Sequence, residues 1–220
     1  MNAWTEAILD LFFPPDEIPE ELPRLEAPYC EKCCEPYEGA IPSSFVCPNC
    51  QGRDWRLEKS RAAFRFEGFV REAIHDFKYN GEFHHLPLLA EWLEEGFSRH
   101  YAGETFTALV PVPLHFTRRK ARGFNQALEL AQMLGKRVGL PVTSCLERIK
   151  PTETQTNLTR AQRLKNLTGA FAMKRGFDVT GEALLVLDDV FTTGTTVDSC
   201  AKVLHRAKAA RVCALTVARG

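Results

Sequence analysis

The sequence predicts an α/β fold, doubly wound about a mainly parallel sheet, with a small cysteine-bearing module in front of it. Three observations carry this. TALVPV (107–112) and ALLVL (183–187) are continuously apolar, as parallel strands covered on both faces should be, and each leads through a polar stretch into a helical pattern. VCALTV (212–217) closes the second unit as a further strand, at a spacing that favours a right-handed crossover. Five of the eight cysteines crowd between positions 30 and 50, outside either unit.

Along the chain, the N-terminal AILDLFFPP is apolar but lacks a basic leader and a small-residue cleavage site, and no stretch approaches the roughly 20 apolar residues that span a bilayer. A cytoplasmic protein with no membrane insertion is expected. Residues 16–28 are rich in acids and proline, which favours an extended, solvated linker. The expected division is therefore 1–28 for the N-terminal segment and linker, 29–56 for the cysteine module and 57–220 for the α/β domain.

Cys30 and Cys33, then Cys47 and Cys50, form two CxxC pairs separated by 13 residues. Such pairs make knuckles whose four thiolates converge tetrahedrally on Zn²⁺, giving a zinc-ribbon-like module. A redox dithiol and coincidentally buried cysteines are the alternatives. A closed four-sulfur site has no open position for a substrate, so its expected role is folding or docking. Cys34 is an extra neighbour, and the six histidines show no ligand spacing.

AAFRF (62–66) predicts a strand, and Val70, Ala73, Ile74 and Phe77 predict a helix by their i, i+3, i+4, i+7 spacing. Leu86, Leu89, Ala90, Leu93 and Phe97 predict another. The 107–112 strand is followed by a basic loop and a helix carrying Phe124, Leu128, Ala131, Leu134 and Val138; the 183–187 strand leads to a helix with Val197, Cys200, Ala201 and Leu204. Lys plus Arg equals Asp plus Glu at 28 each, so any nucleic-acid contact has to come from local basic residues.

The end of the 183–187 strand carries the most specific chemistry. Asp188 and Asp189 follow the apolar run, then Val190 and Phe191, then the turn Thr192, Thr193, Gly194, Thr195 and Thr196 into the helix. Ligands of open α/β sheets bind beyond the carboxyl ends of strands. A hydroxyl-rich turn at a helix N-terminus suits a phosphate, and Gly194 permits close backbone approach and a positive φ. Paired carboxylates nearby can accept hydrogen bonds from vicinal hydroxyls, so the whole describes a site for a ribose 5-phosphate. A capping aspartate with a plain turn is the bland alternative. A Walker B strand would need a GxxxxGK[ST] loop, which the chain lacks, and there is no GxGxxG fingerprint. Trp4, Trp55 and Trp92 are read as packing residues rather than base-stacking ones.

LLVLDDVFTTGTT (184–196) resembles the phosphoribosyl pyrophosphate (PRPP) binding motif of type I phosphoribosyltransferases. VPVPLHFTRRKARGFNQA (110–127), FRFEGFVREAIHDFKYNGE (64–82) and QTNLTRAQRLKNLTGAF (155–171) resemble the ComF family, associated with competence and DNA uptake. The likeness covers nearly the whole chain. One departure is that the family pattern includes a further cysteine pair after the FPP segment, where residues 16–28 here hold none.

The resemblance implies a type I phosphoribosyltransferase-like fold in which pyrophosphate is displaced from C1 of PRPP, with Mg²⁺ bound alongside PRPP, and the phosphoribosyl group passes to an unassigned acceptor. It implies catalytic and ribose-binding roles for Asp188 and Asp189, and 5-phosphate binding by residues 190–196. Pyrophosphate would be held by Arg118, Arg119, Lys120 and Arg122, whose forked or charged heads suit a diphosphate. Lys78, Arg160, Arg163 and Asn166 are implied accessory or flexible-loop residues, with the segment 150–166 able to close over the site. The competing reading is a non-catalytic PRPP sensor, or a factor that docks a DNA-uptake helicase or single-stranded DNA. Self-association as a homodimer is left open.

Overall fold

The computed structural model describes residues 18–37, 39, 45–79, 83–150 and 169–220. In chain order the elements are β1 (Ser60–Arg65), α1 (Gly68–Tyr79), α2 (His85–Tyr101), β2 (Ala108–Pro111), α3 (Phe116–Arg122), α4 (Gln126–Val138), β3 (Leu146–Arg148), β4 (Phe171–Met173), β5 (Ala183–Phe191), α5 (Thr195–Arg206) and β6 (Arg211–Arg219). Strands β1, β6, β5 and β2 pair in that order, all parallel. Among the described residues no helix is long and apolar enough to cross a membrane.

Helices cover both faces of this sheet, which is why its strands are apolar throughout. On one side Ile74 and Phe77 of α1, Leu89 and Leu93 of α2 and Leu130 and Leu134 of α4 pack with Leu185, Leu187 and Leu215 of the sheet. On the other, Val197, Cys200 and Leu204 of α5 pack with Leu184, Val186 and Ala214, and the cysteine module joins this second core. The helical spacing read from the sequence thus marks the buried stripes: Val70, Ala73, Ile74 and Phe77 are the buried residues of α1.

Four local expectations are corrected. The strand at 183–187 runs on through both aspartates to Phe191, because the nine-residue β6 continues to pair with it at Asp188↔Thr216, Val190↔Ala218 and Phe191↔Arg219. The basic loop after β2 is helical: the His115 side chain accepts from the Thr117 N–H, Gly123 closes the helix at φ 87°, and Arg and Lys favour the helix between. An antiparallel ribbon, β3 with β4, was not anticipated, since three residues a side leave no periodicity to detect. Part of the acidic linker is docked rather than solvated. Leu25 is buried and donates its N–H to Ala63 O (3.0 Å), the Arg65 N–H reaches Pro23 O (2.7 Å), and Arg24 bridges Phe64 along the free edge of β1.

Candidate functional site

A cleft of about 700 Å³ opens where β2 and β5 end. β5 supplies Asp188, Asp189, Val190 and Phe191 to it, and the following turn and helix start supply Thr192, Gly194, Thr195 and Thr196. Lys78 enters from α1, Arg118 and Arg122 from α3, and Arg148 from β3. The topology brings these together from five separate elements, at the sheet end where a doubly wound fold presents ligand sites.

Asp189 is only 4% exposed, and Lys78 Nζ lies 2.8 Å from its Oδ1. Its Oδ2 is buried and has no hydrogen-bond partner among the described residues, an arrangement that costs energy unless a donor arrives. The Asp189 N–H donates to Asp188 Oδ1 at 3.0 Å. Burial first, and then the neighbouring Asp189 charge, push the Asp188 carboxyl up to about 7, against the opposing pull of Lys78 and Arg148. A carboxylate pair with an unmet acceptor is suited to a ligand bearing adjacent hydroxyl donors.

Gly194 adopts φ 69° and precedes α5, which no side chain caps there. The glycine is required twice over, because a Cβ at this position would stand 2.3 Å from Phe191 Cζ and 2.6 Å from Trp55 Cη2. An uncapped helix start facing a cleft is a ready anion site. Thr193 differs from its neighbours. Its Oγ1 pairs with Thr195 Oγ1 at 2.8 Å, and it lines a separate cavity of about 140 Å³ with Cys33, Cys50, Arg53 and Trp55.

Of the four basic residues in the predicted pyrophosphate segment, the structure brings two to the cleft. Arg118 and Arg122 stand one turn apart on α3 and line it, whereas Arg119 and Lys120 are exposed and do not. Arg122 Nη1 donates to Gln126 Oε1 (2.7 Å), and its guanidinium sits 5.1 Å from the Tyr79 ring centre. Asn125 sets the angle of the next helix by accepting from the Ala127 N–H (3.2 Å) while donating to Val112 O (3.1 Å). Burial, then the Arg122 charge, lowers the pKa of Arg118; burial, then the Arg118 charge, lowers that of Arg148. Cations gathered in this way suit an anionic ligand.

Arg148 was not foreseen. It is an isolated arginine on a three-residue strand, and only its pairing with Phe171 and its bridge to His115 bring it to the cleft. Arg160, Arg163 and Asn166 lie outside the described residues.

Cys30, Cys33, Cys47 and Cys50 are buried, and their sulfurs all lie within 4.8 Å of one another. Cys33 Sγ and Cys47 Sγ are 3.6 Å apart, close to the edge of a tetrahedron with Zn–S bonds of about 2.3 Å. For Cys30, burial is outweighed by backbone N–H groups of Cys47, Cys33 and Lys32, which lower the thiol's pKa; the Cys47 N–H donates to its sulfur at 3.3 Å. Burial, then contact with neighbouring sulfurs, pushes Cys33 well up, and burial raises Cys50 to about 12. Four buried, convergent sulfurs match a four-thiolate metal site, so the set could coordinate one structural zinc ion. Cys34, at φ 58°, is buried instead against Leu25 and Ala62.

No protein-family model matches the chain. Competence protein ComFC of Bacillus subtilis is 27% identical over 208 residues, covering 90% of this chain and 81% of that protein. Competence protein F of Haemophilus influenzae is 38% identical over 103 residues, 45% of this chain and 44% of that protein. Homology to these two competence proteins supports assignment to the ComF family. DNA utilization protein YhgH of Escherichia coli K12 is 38% identical over 105 residues, 47% of this chain and 45% of that protein. Among solved structures, the chain is similar to the Bacillus subtilis glutamine PRPP amidotransferase, with 17% identity, a TM-score of 0.38 and coverage of 59% of this chain and 25% of that one. A Trypanosoma cruzi hypoxanthine phosphoribosyltransferase gives 10% identity, a TM-score of 0.37 and coverage of 60% and 63%.

Proposed function

We propose that the cleft binds PRPP and that the protein transfers its phosphoribosyl group to an acceptor with release of pyrophosphate. One observation carries this: an aspartate pair and an uncapped helix start share a single cleft with Arg118, Arg122 and Arg148. In this reading Asp188 and Asp189 accept from the ribose hydroxyls, the turn 192–196 donates to the 5-phosphate, and the arginines hold the pyrophosphate as it leaves. Arginines that crowd before any ligand arrives are preorganised for charge that develops on the leaving group. Mg²⁺ bound with PRPP would neutralise the diphosphate. Zinc would occupy the Cys30, Cys33, Cys47 and Cys50 set as a structural ion, in a module over residues 29–56 attached to the 57–220 domain. Cysteines spaced and gathered for a metal rather than for disulfides support a cytoplasmic location.

The test is isothermal titration with PRPP, with and without Mg²⁺, followed by a pyrophosphate-release assay across acceptor candidates. Asp188→Asn and Asp189→Asn should each weaken PRPP binding by about 1.5–3 kcal/mol, the range for hydrogen bonds to charged groups. No binding to wild type, or equal binding by the folded variants, would overturn the reading.

A second reading follows from exposed aromatic rings. Tyr79, Phe83 and Phe116 are 57%, 47% and 63% exposed, and Tyr79 faces Arg122. Rings beside guanidinium groups suit stacking on single-stranded DNA, and the relatives are named for competence and DNA utilization. In this reading the protein docks DNA or an uptake helicase without turnover. Tight single-strand binding with no pyrophosphate release would favour it.

A further inference from the structure

Residues 53–56, just beyond the second CxxC pair, are fastened to the phosphate turn rather than to the cysteine module alone. Arg53 Nη1 donates to Thr193 O at 2.8 Å, and its Nη2 lies 3.7 Å from Asp198 Oδ2 on α5. The Arg53 guanidinium lies 3.6 Å from the centre of the Trp55 ring, and Trp55 in turn stacks on Phe191 with centroids 6.3 Å apart. The Arg56 N–H donates to Asp198 Oδ1 at 2.8 Å, and His205 Nε2 sits 2.9 Å from Arg56 O. The other end of this strap is tied to the knuckle, where the Arg53 N–H reaches Cys50 O (3.3 Å) and the Cys50 N–H reaches Cys47 O (2.8 Å). A second tie runs from Arg219, whose Nε donates to Cys33 O (3.2 Å) and Nη1 to Phe191 O (3.3 Å).

The turn's other ties are local to it and α5: the Asp198 N–H donates to Gly194 O (2.9 Å), and the Thr193 and Thr195 hydroxyls pair at 2.8 Å. Its glycine contributes no side chain, and the Thr195 N–H is 3.5 Å from Thr193 Oγ1, at the limit of a hydrogen bond. A carbonyl fixed by a charged donor and a Trp55 edge packed where Gly194 has no Cβ determine which way the backbone N–H groups of the turn point.

We propose that Arg53 is a positioning residue through which the four-cysteine module holds the phosphate turn, so that metal loading of the module sets the turn's affinity for phosphorylated ribose. The inference rests on the turn being a phosphate site, but its mechanical part concerns the ligand-free protein. When the thiolates lose their ion, the knuckle carbonyls at Cys47 and Cys50 lose their fixed geometry. The strap then loosens, and Thr193 O is released.

Hydrogen exchange of the full chain tests this without a ligand. In zinc-loaded Arg53→Ala, amides in 192–198 should exchange about tenfold faster than in wild type while those in 128–134 of α4 stay unchanged, as expected of local rather than global opening. Wild type stripped of zinc should show the same turn-specific acceleration, and stripping Arg53→Ala should add little more, because both changes break one connection. A turn that exchanges at the wild-type rate in either case overturns the proposal. Should Arg53→Ala loosen the whole molecule, Arg53→Lys still keeps a charged donor. If Arg53→Lys loosens 192–198 as much as Arg53→Ala does, the positioning role is overturned as well. Titration with ribose 5-phosphate then reads the functional half, with affinity expected to fall about fivefold or more in Arg53→Ala and to recover in part in Arg53→Lys. If wild type binds no ribose 5-phosphate, the phosphate reading of the turn fails and the functional half falls with it; the exchange data still decide whether Arg53 holds the turn.

Discussion

Lys78 Nζ reaches Asp189 Oδ1 at 2.8 Å, tying helix α1 to the far end of strand β5 across the floor of the cleft. Both side chains are largely buried, at 19% and 6% exposed, so removing one partner strands the other. Lys78→Ala should cost roughly 3–5 kcal/mol of stability, whereas Lys78→Met combined with Asp189→Asn should recover most of it because neither member of the pair is left as an unpaired buried charge. Urea denaturation of the three proteins decides this; a single variant as stable as wild type would show that the pair does not brace the cleft.

Asp188 predicts a pH dependence of the opposite sense to an ordinary surface carboxylate. Folding raises its pKa from 3.8 to about 7, so the folded chain holds this proton more tightly than the unfolded chain. Its contribution is therefore least unfavourable below the unfolded value, and stability falls as pH rises towards 7 and then levels off. Asp188→Asn keeps an acceptor for the Asp189 N–H and removes the charge, so it should stabilise by an amount on the order of 3 kcal/mol at pH 8 and by little near pH 3. Thermal melts at both values test the sign; a variant destabilised more at pH 8 than at pH 3 contradicts it.

The arginines should separate by their placement rather than by sequence proximity. Arg118→Ala, Arg122→Ala and Arg148→Ala should each reduce PRPP affinity by about 1.5–3 kcal/mol and leave ribose 5-phosphate affinity nearly unchanged, since only PRPP carries the diphosphate. Arg119→Ala and Lys120→Ala, whose side chains are exposed outside the cleft, should bind both ligands like wild type. Titrations with the two ligands give the comparison, and equal losses across all five variants would rule out this assignment.

Purified protein should carry one zinc per chain, measured by elemental analysis, and Cys47→Ser should lower that content. Cys34→Ser should leave it unchanged, because Cys34 packs against Leu25 and Ala62 rather than with the four convergent sulfurs. Zinc near zero in carefully prepared wild type would refute the metal assignment.

Gly194→Ala should destabilise by more than the roughly 1 kcal/mol of a strained left-handed residue, because the new methyl also meets Phe191 and Trp55. Gly181→Ala offers the control: its φ is 76° but nothing lies within 4 Å of the added carbon. Chemical denaturation of the two variants separates backbone strain from steric conflict, and equal losses would show that the packing around Gly194 gives way freely.

By itself the sequence determined the features that local physics controls. Apolar runs marked the strands, 3.6-residue spacing marked the buried stripes of α1 and α5 and most of that of α2, and the two CxxC pairs marked the convergent sulfurs; in α4 the spacing found Ala131 and Leu134 but took half-buried Leu128 in place of buried Leu130. Gly194 was read as permitting a positive φ, which it adopts at 69°. Tertiary structure decided what depends on meetings between distant segments. β5 runs past its apolar stretch to Phe191 because β6 is long enough to pair with it, and Arg148 reaches the cleft because β3 pairs with β4. Helix α3 turns Arg118 and Arg122 inward and Arg119 and Lys120 outward, a choice that four consecutive-looking charges conceal until the face packed against the domain is known. Arg53 meets Thr193 only after the module folds onto α5. Periodicity reports which side of an element is buried; it holds no record of which distant element will stand there, and a hydrogen bond depends on that second fact.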